Sequence, residues 1–98
     1  MDYDFEWDIR KARTNTEKHR VTFEDAATVF ADPHALNAYD PDHSESEDRW
    51  ITLGTAHSGR LLVVCHTFTE RPGGSAAVRI YSARPATSKE AQSYYERA

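Results

Sequence analysis

Basic and hydrogen-bonding side chains are spread along this chain, and together they could cut RNA without a metal ion. In that reaction the RNA supplies the nucleophile, its 2′-hydroxyl. The protein removes that proton, protonates the leaving 5′-oxygen and stabilises the extra negative charge on the phosphorus oxygens. Histidine suits either proton transfer, and the arginine fork of donors matches a phosphate. The candidates are Lys11, Asn15, Lys18, His19, Arg49, Arg60, Arg79, Arg84, Tyr94 and Tyr95.

Each of these residues also has a structural interpretation. His19 falls in the last turn of a predicted helix, where a cation favours the helix dipole or a neutral ring packs. Arg84 can tie the end of its strand to the helix that follows, and tyrosines more often pack than react. Residue types alone do not choose between a ribonuclease and a module that only binds a protein partner.

Other chemistries fit the sequence less well. Residues 40–47 are rich in carboxylates, but a calcium loop starting at Asp40 would place Glu45 where glycine is needed and Ile51 where a bidentate glutamate is needed. One cysteine and five scattered histidines lack the paired spacing of a zinc site. The sequence has no Gly-x-Ser-x-Gly motif and no phosphate-binding glycine motif. We therefore expect no metal ion and no cofactor.

The net charge of −4 disfavours RNA binding at first sight, because binding to phosphates relies on Lys and Arg. The acidity is local, however. Residues 32–48 hold six acidic residues and no Lys or Arg, which leaves ten acidic and twelve basic residues elsewhere. Residues 9–20 hold five bases against Glu17 alone, so this segment is a candidate basic patch on an acidic protein.

The length and the apolar pattern indicate a single cytoplasmic domain over residues 1–98, large enough for one core without disulfides. Cys65 has no partner for an intramolecular disulfide and lies in an apolar run, which favours a reducing compartment. No apolar stretch approaches the roughly 20 residues that cross a bilayer. The acidic N-terminus also differs from a signal peptide. We expect no membrane partner.

The first part of the chain predicts the elements that would carry the basic patch. Residues 4–8 alternate polar and apolar residues like a short strand, and Asp8 can cap a helix over residues 9–20. The inner stripe of that helix should be Ile9, Ala12 and Thr16. Thr22 begins a second helix that should end near residues 32–33. Its apolar positions are Phe23, Ala26, Ala27 and Phe30.

The rest of the chain predicts a sheet and a last helix. A short strand is predicted at residues 35–39, and the next strands, at residues 49–53, 61–68 and 77–82, are separated by turns that contain glycine. In the last of them Arg79 and Tyr81 share one face. Thr87 and Glu90 match a capping box at the start of the last helix. We expect an α+β fold with a small antiparallel sheet of three to five strands, two N-terminal helices and one C-terminal helix.

The order of many short motifs resembles the BrnT toxin family. The resemblance covers nearly the whole chain, and its specificity comes from the shared order of motifs that are individually weak. The segments that carry it are residues 5–8, Lys11, Asn15, Lys18, His19, residues 21–26, 29–33, 42–44, 47–50, 53–54 and 59–64, His66, Thr67, residues 79–86, Glu90 and Tyr94.

The resemblance implies a RelE-like fold and the toxin of a bacterial type II toxin–antitoxin system, an endoribonuclease that halts translation. It implies a BrnA-like ribbon-helix-helix antitoxin in a heterotetramer or similar complex, with RNA as substrate and operator DNA bound only through the antitoxin. The alternative is a degenerate toxin that acts only through its partner complex. The candidate catalytic residues are His19, Lys18, Arg79 and Arg84, and the candidate RNA-binding residues are Lys11, Arg49 and Arg60.

Overall fold

The computed structural model describes residues 2–97, which form one five-stranded sheet and three α-helices, so the predicted α+β class is confirmed. Short 3₁₀ turns follow the second helix, at Thr28–Ala31, and the second strand, at Pro41–His43. None of the helices described is long and apolar enough to span a membrane. The elements in chain order are β1 (Asp2–Glu6), α1 (Ile9–His19), α2 (Phe23–Ala27), β2 (Leu36–Tyr39), β3 (Trp50–Thr55), β4 (Leu61–Glu70), β5 (Ser75–Pro85) and α3 (Ser88–Arg97).

The sheet is mixed, so the predicted antiparallel arrangement is confirmed for β2 to β5 but not for β1. Its strand order is β1-β5-β4-β3-β2, and β2 to β5 are antiparallel neighbours. β1 runs parallel to β5, with Asp2 opposite Ser75 and Glu6 opposite Arg79. The alternation of side chains within one strand carries no information about the direction of its partner. The parallel pair therefore could not be recognised from the local pattern.

Side-chain caps begin the three helices at the predicted residues. The carboxylate of Asp8 accepts hydrogen bonds from two amides in the first turn of α1, and the Thr22 hydroxyl accepts one in α2. The capping box of α3 is complete: the Glu90 amide donates to the Thr87 hydroxyl at 3.2 Å, and the Thr87 amide donates to the Glu90 carboxylate at 2.8 Å. Each bond satisfies an amide that has no partner within its helix.

The hydrophobic core lies between one face of the sheet and α2 with its 3₁₀ turn. The buried stripe on this segment is Phe23, Ala26 and Val29, which repeats every three residues. A 3₁₀ turn has three residues per turn, so the tightening after Ala27 brings Val29 inward and leaves Phe30 only partly buried. The sheet contributes the buried residues Leu62, Val64, Val78, Ile80 and Ala83, and the buried Ala56 follows directly after β3.

The predicted inner stripe of α1 is only partly correct. Ala12 packs against the core, but Ile9 is 65% exposed, and the one buried residue of the helix is Asn15. α1 packs beside the second half of β5, so its inner face meets backbone polar groups as well as apolar side chains. A helical wheel ranks residues by hydropathy and therefore misses a face that is fixed by hydrogen bonds.

Candidate active site

The position of α1 is set by the side chain of Asn15, which is buried against β5. Its Nδ2 donates to the carbonyls of Ala83 at 2.8 Å and Val21 at 2.9 Å, and its Oδ1 accepts from the Ala83 amide at 3.0 Å. β1 pairs with β5 only as far as Arg79. Beyond that point the Asn15 amide takes the place of a neighbouring strand, and α1 is thereby fixed along β5.

A β-bulge changes which side chains of β5 face α1. Cys65 pairs with Ser82 and His66 pairs with Ile80, so Tyr81 is an extra residue without a partner on β4. The bulge interrupts the two-residue alternation and turns Tyr81 and Ser82 toward the same cleft.

This α1–β5 cleft has a volume of about 300 Å³ and brings together three of the predicted site residues. On α1, Lys18 and His19 follow Lys11 by seven and eight residues. This spacing places the three side chains on one helical face. All three line the cleft opposite Tyr81. The complete lining is Arg10, Lys11, Thr14, Asn15, Lys18, His19, Tyr81 and Ser82.

Two cations lie over the ring of Tyr81 at the edge of the cleft. The Lys11 Nζ is 4.9 Å from the centroid of its ring, and the Arg49 Cζ is 4.0 Å from it, so Arg49 joins this side of the molecule. The Tyr81 hydroxyl donates to a carboxylate oxygen of Glu47, which lies 3.8 Å from Arg49. Burial and the bond to Glu47 raise the pKa of Tyr81, so this hydroxyl keeps its proton at neutral pH.

Arg79 on β5 adds a further cation near Tyr81. We call Lys11, Lys18, Arg49 and Arg79 together the basic surface. Arg79 lies two residues before Tyr81, and its charge partly opposes the rise in the pKa of that tyrosine. Its Nη1 is 4.0 Å from a Glu6 carboxylate oxygen, and much of its side chain is exposed. An exposed ion pair of this length is weak. The Arg79 guanidinium can therefore leave Glu6 and bind a phosphate with little loss of free energy.

Arg84 and Arg60, the other two predicted site residues, make different contacts and do not line the cleft. Arg84 donates to both carboxylate oxygens of Glu90, at 2.7 and 2.9 Å, and so ties the end of β5 to α3. This is the structural interpretation considered for Arg84. Arg60 donates to the carbonyl of Arg20 at 2.6 Å, just after the end of α1.

The Arg84–Glu90 pair predicts a loss of stability in acid. The two hydrogen bonds from Arg84 lower the pKa of Glu90 from 4.5 to about 2. A carboxyl with a depressed folded pKa contributes its full stabilisation above the unfolded value, and that contribution is lost as the pH falls from about 4.5 toward 2. The side chains of Arg84 and Glu90 are 40% and 31% exposed, so solvent screens part of the effect.

After this screening, we expect the pair to contribute about 1 kcal/mol less at pH 3 than at pH 6. Urea denaturation at the two pH values measures the change. A Glu90→Gln variant cannot titrate at this position and should show a correspondingly smaller loss, whereas Glu17→Gln, at an exposed position of α1, should behave like the unmodified chain. An equal pH dependence for the Glu90 variant and the unmodified chain would contradict the assignment.

Two residues at the cleft, Tyr81 and Glu47, were not among the predicted site residues. The strand pattern did place Tyr81 on the same face as Arg79, and that shared face is the signal that could have identified it. Glu47 belongs to the acidic segment at residues 32–48, and no local pattern shows that its carboxylate reaches Tyr81 and Arg49.

The arrangement combines a group for proton transfer with positive charge. Histidine is the side chain best suited to proton transfer, and His19 lies with the ammonium groups of Lys11 and Lys18 on the same side of α1. Arg49 and Arg79 add guanidinium groups next to Tyr81. Within residues 2–97, no group of three or more His, Cys, Asp or Glu side chains is placed to hold a metal ion. The groups that face this cleft are suited to a phosphodiester.

Comparison with known proteins assigns the chain to a family. The model for the family described as ribonuclease toxin, BrnT, of type II toxin-antitoxin system matches residues 7–90, which include every residue that lines the α1–β5 cleft. The fold is similar to that of the Brucella abortus ribonuclease toxin BrnT, known from a 1.1 Å crystal structure. The TM-score is 0.56 at 22% identity, over 89% of this chain and 99% of that chain. No curated protein matches the chain by sequence.

Proposed function

Because the chain belongs to the family of BrnT ribonuclease toxins of type II toxin–antitoxin systems, we propose that it is a metal-independent endoribonuclease that inhibits translation in the cytoplasm. The observation that carries the proposal is the α1–β5 cleft, where His19 lies with Lys11 and Lys18 opposite Tyr81. A histidine among cations provides both the proton transfer and the charge stabilisation that cleavage through the 2′-hydroxyl needs.

In the proposed reaction, the scissile phosphate of RNA lies in the cleft and the ribose 2′-oxygen attacks phosphorus. The bond from phosphorus to the 5′-oxygen breaks, which leaves a 2′,3′-cyclic phosphate on one fragment and a 5′-hydroxyl on the other. His19 takes the proton of the 2′-hydroxyl while solvent water protonates the leaving oxygen, or His19 protonates the leaving oxygen while water takes the proton of the 2′-hydroxyl. Lys18 and Arg79 stabilise the extra charge that develops on the phosphate oxygens.

Other residues bind and orient the RNA. Lys11 and Arg49, next to Tyr81, attract the phosphate backbone, and the protonated Tyr81 hydroxyl can donate to a phosphate oxygen. Glu47 competes for this donor and for Arg49, so bound RNA must displace its carboxylate. Arg84, predicted as a catalytic residue, acts in this proposal through the position of α3, and Arg60 acts through the end of α1.

The family implies a protein antitoxin as partner. We propose a BrnA-like ribbon-helix-helix protein, joined to this chain in a heterotetramer or similar complex that contacts operator DNA only through the antitoxin. The charges of the chain support the assignment of DNA binding to the antitoxin alone. Its net charge of −4 and its acidic segment at residues 32–48 are unfavourable for direct contact with duplex DNA.

Incubation of the purified chain with single-stranded RNA in EDTA tests the ribonuclease proposal. We expect fragments that end in a 2′,3′-cyclic phosphate, because the catalytic groups are side chains and the nucleophile belongs to the RNA. Induced expression in bacteria should stop growth and reduce the incorporation of labelled amino acids. RNA that stays intact in EDTA, together with normal growth after induction, would show that the proposal is wrong.

A second candidate function is a non-catalytic toxin that acts only through its partner complex. The contact of Glu47 with Tyr81 and Arg49 favours it, because a carboxylate at the edge of the cleft offsets part of the positive charge that RNA would need. The same assay separates the two candidates, since cleavage by the chain alone excludes the second.

A further inference from the structure

A second cavity, of about 580 Å³, opens on the face of the sheet away from the α1–β5 cleft. Trp50 on β3 and His66 and Phe68 on β4 line it, and strand alternation places these residues on the core-bearing face. Tyr3 and Phe30 also line it. We call this cavity the aromatic groove. Arg79 occupies an alternate position of β5, and Arg49, directly before β3, lies over Tyr81, so the groove and the basic surface lie on opposite faces.

The groove is preformed by aromatic packing. On one side the rings of Tyr3 and Phe30 are 5.7 Å apart, and those of Tyr3 and Phe68 are 6.5 Å apart. The floor is formed by the buried His66, whose Nε2 lies 2.7 Å from the Thr52 hydroxyl oxygen. Burial lowers the pKa of His66, so its ring is neutral at neutral pH and the floor carries no charge.

The rim of the groove exposes three large aromatic side chains. Tyr3 is 38% exposed, Phe68 is 36% exposed, and Tyr39, which packs on Trp50 at 5.2 Å, is 45% exposed. Aromatic residues are enriched in the buried centres of protein interfaces, where they account for much of the binding energy. A group of rigid, half-exposed rings around a preformed cavity therefore indicates a protein-binding surface.

The charges around the groove indicate the chemistry of the partner. Of the residues described, no Lys or Arg lines the groove, and the one carboxylate in its lining belongs to Asp32. The Tyr39 hydroxyl donates to Asp48 at 3.1 Å, so the acidic segment at residues 32–48 borders this side. RNA and a second copy of this acidic face would both be repelled. A protein segment with apolar and basic side chains is complementary to it.

We propose that the aromatic groove is the docking site of the antitoxin, which inserts an apolar side chain flanked by Lys or Arg. The inference rests on the proposed function only for the presence of a protein antitoxin in the same operon. Docking at the groove alone leaves the α1–β5 cleft open, because the two lie on opposite faces. Inhibition then needs a further antitoxin segment that passes around the edge of the sheet.

Calorimetric titration of the full chain with the antitoxin encoded in its operon tests the proposal. Phe68→Lys removes a ring from the groove and adds a charge that repels a basic partner, and we expect binding to weaken by about 30-fold or more. Thr69→Lys is the matched control. It adds the same charge at the next residue of β4, which is exposed and points to the other face, and it should bind as the unmodified chain does.

Tyr39→Lys provides a second, independent change on the opposite side of the groove and decides the matter if Phe68→Lys does not fold. The proposal is overturned if each groove variant that folds binds the antitoxin as the unmodified chain does. It is also overturned if the unmodified chain does not bind the antitoxin. RNA cleavage without antitoxin is measured in parallel. If the unmodified chain cleaves no RNA but loses antitoxin binding on Phe68→Lys, the docking site stands and only the ribonuclease proposal falls.

Discussion

Replacement of His19 by glutamine should slow RNA cleavage by about 10²- to 10⁴-fold, the usual contribution of a positioned general acid or base. Glutamine retains a polar side chain of similar length at the end of α1 but cannot exchange a proton near neutral pH. Among the described residues that line the α1–β5 cleft, His19 is the one histidine, and histidine is the side chain most often used for proton transfer in catalysis. Single-turnover cleavage of a labelled single-stranded RNA measures the effect.

The control for His19 is His57→Gln, a change of the same type at an exposed histidine in the turn between β3 and β4. It should cleave RNA at the original rate, since His57 does not line the cleft. Urea denaturation should give the same free energy of unfolding for both variants and the unmodified chain. A His19 variant that folds and cleaves RNA within about threefold of the original rate would remove His19 from the catalytic role.

Arg79 and Arg84, both predicted as catalytic residues, make different contacts in the structure. Arg79 and Arg84 belong to the same strand, but the bulge at Tyr81 lies between them. Arg79 stays beside Tyr81 on the basic surface, while both Nη atoms of Arg84 bond Glu90. An arginine that holds a carboxylate in two hydrogen bonds has fewer donors left for a phosphate. The basic site is therefore centred on α1 and Tyr81, not on the end of β5.

Local features of the fold were predictable because they depend on neighbouring residues. The caps at Asp8, Thr22 and Thr87 were predictable, since each needs only a side-chain oxygen next to the first turn. The bounds of strands β3, β4 and β5 were predicted within a few residues, because apolar residues dominate their sequences. The parallel pairing of β1 and the bulge at Tyr81 depend on contacts between distant segments, and nothing in the sequence of either strand specifies them.

The candidate site likewise combines features that depend on neighbouring residues with contacts between distant segments. Lys11, Lys18 and His19 were predicted as a group because one helix carries them. Their position opposite Tyr81 depends on Asn15, which was predicted as a candidate for chemistry but bonds the backbone of β5. Glu47 comes near Arg49 and Tyr81 because the loop before β3 folds back onto the sheet. The features of the site that the sequence did not predict are thus contacts between elements that are distant along the chain.

Replacement of Asn15 by alanine should lower the free energy of unfolding by about 3 kcal/mol, because a buried donor and a buried acceptor lose their partner and a second acceptor keeps only its longer bond from Thr16. Ala83 would keep an amide and a carbonyl without a partner at the buried edge of β5, and Val21 would keep a carbonyl that Asn15 had bonded. Urea denaturation measures the loss. Thr14→Ala, an exposed neighbour on α1, should change stability by less than about 0.5 kcal/mol.

Asn15→Asp tests whether the donor of the amide is required. Aspartate can still accept from the Ala83 amide, but it cannot donate to either carbonyl and it places a charge in a buried site, so it should destabilise at least as much as alanine. An Asn15→Ala variant that is as stable as the unmodified chain but inactive would instead place Asn15 among the groups that contact RNA. If the loss of stability is observed, the Asn15 amide fixes α1 on β5, and the alignment of His19 with Tyr81 depends on it.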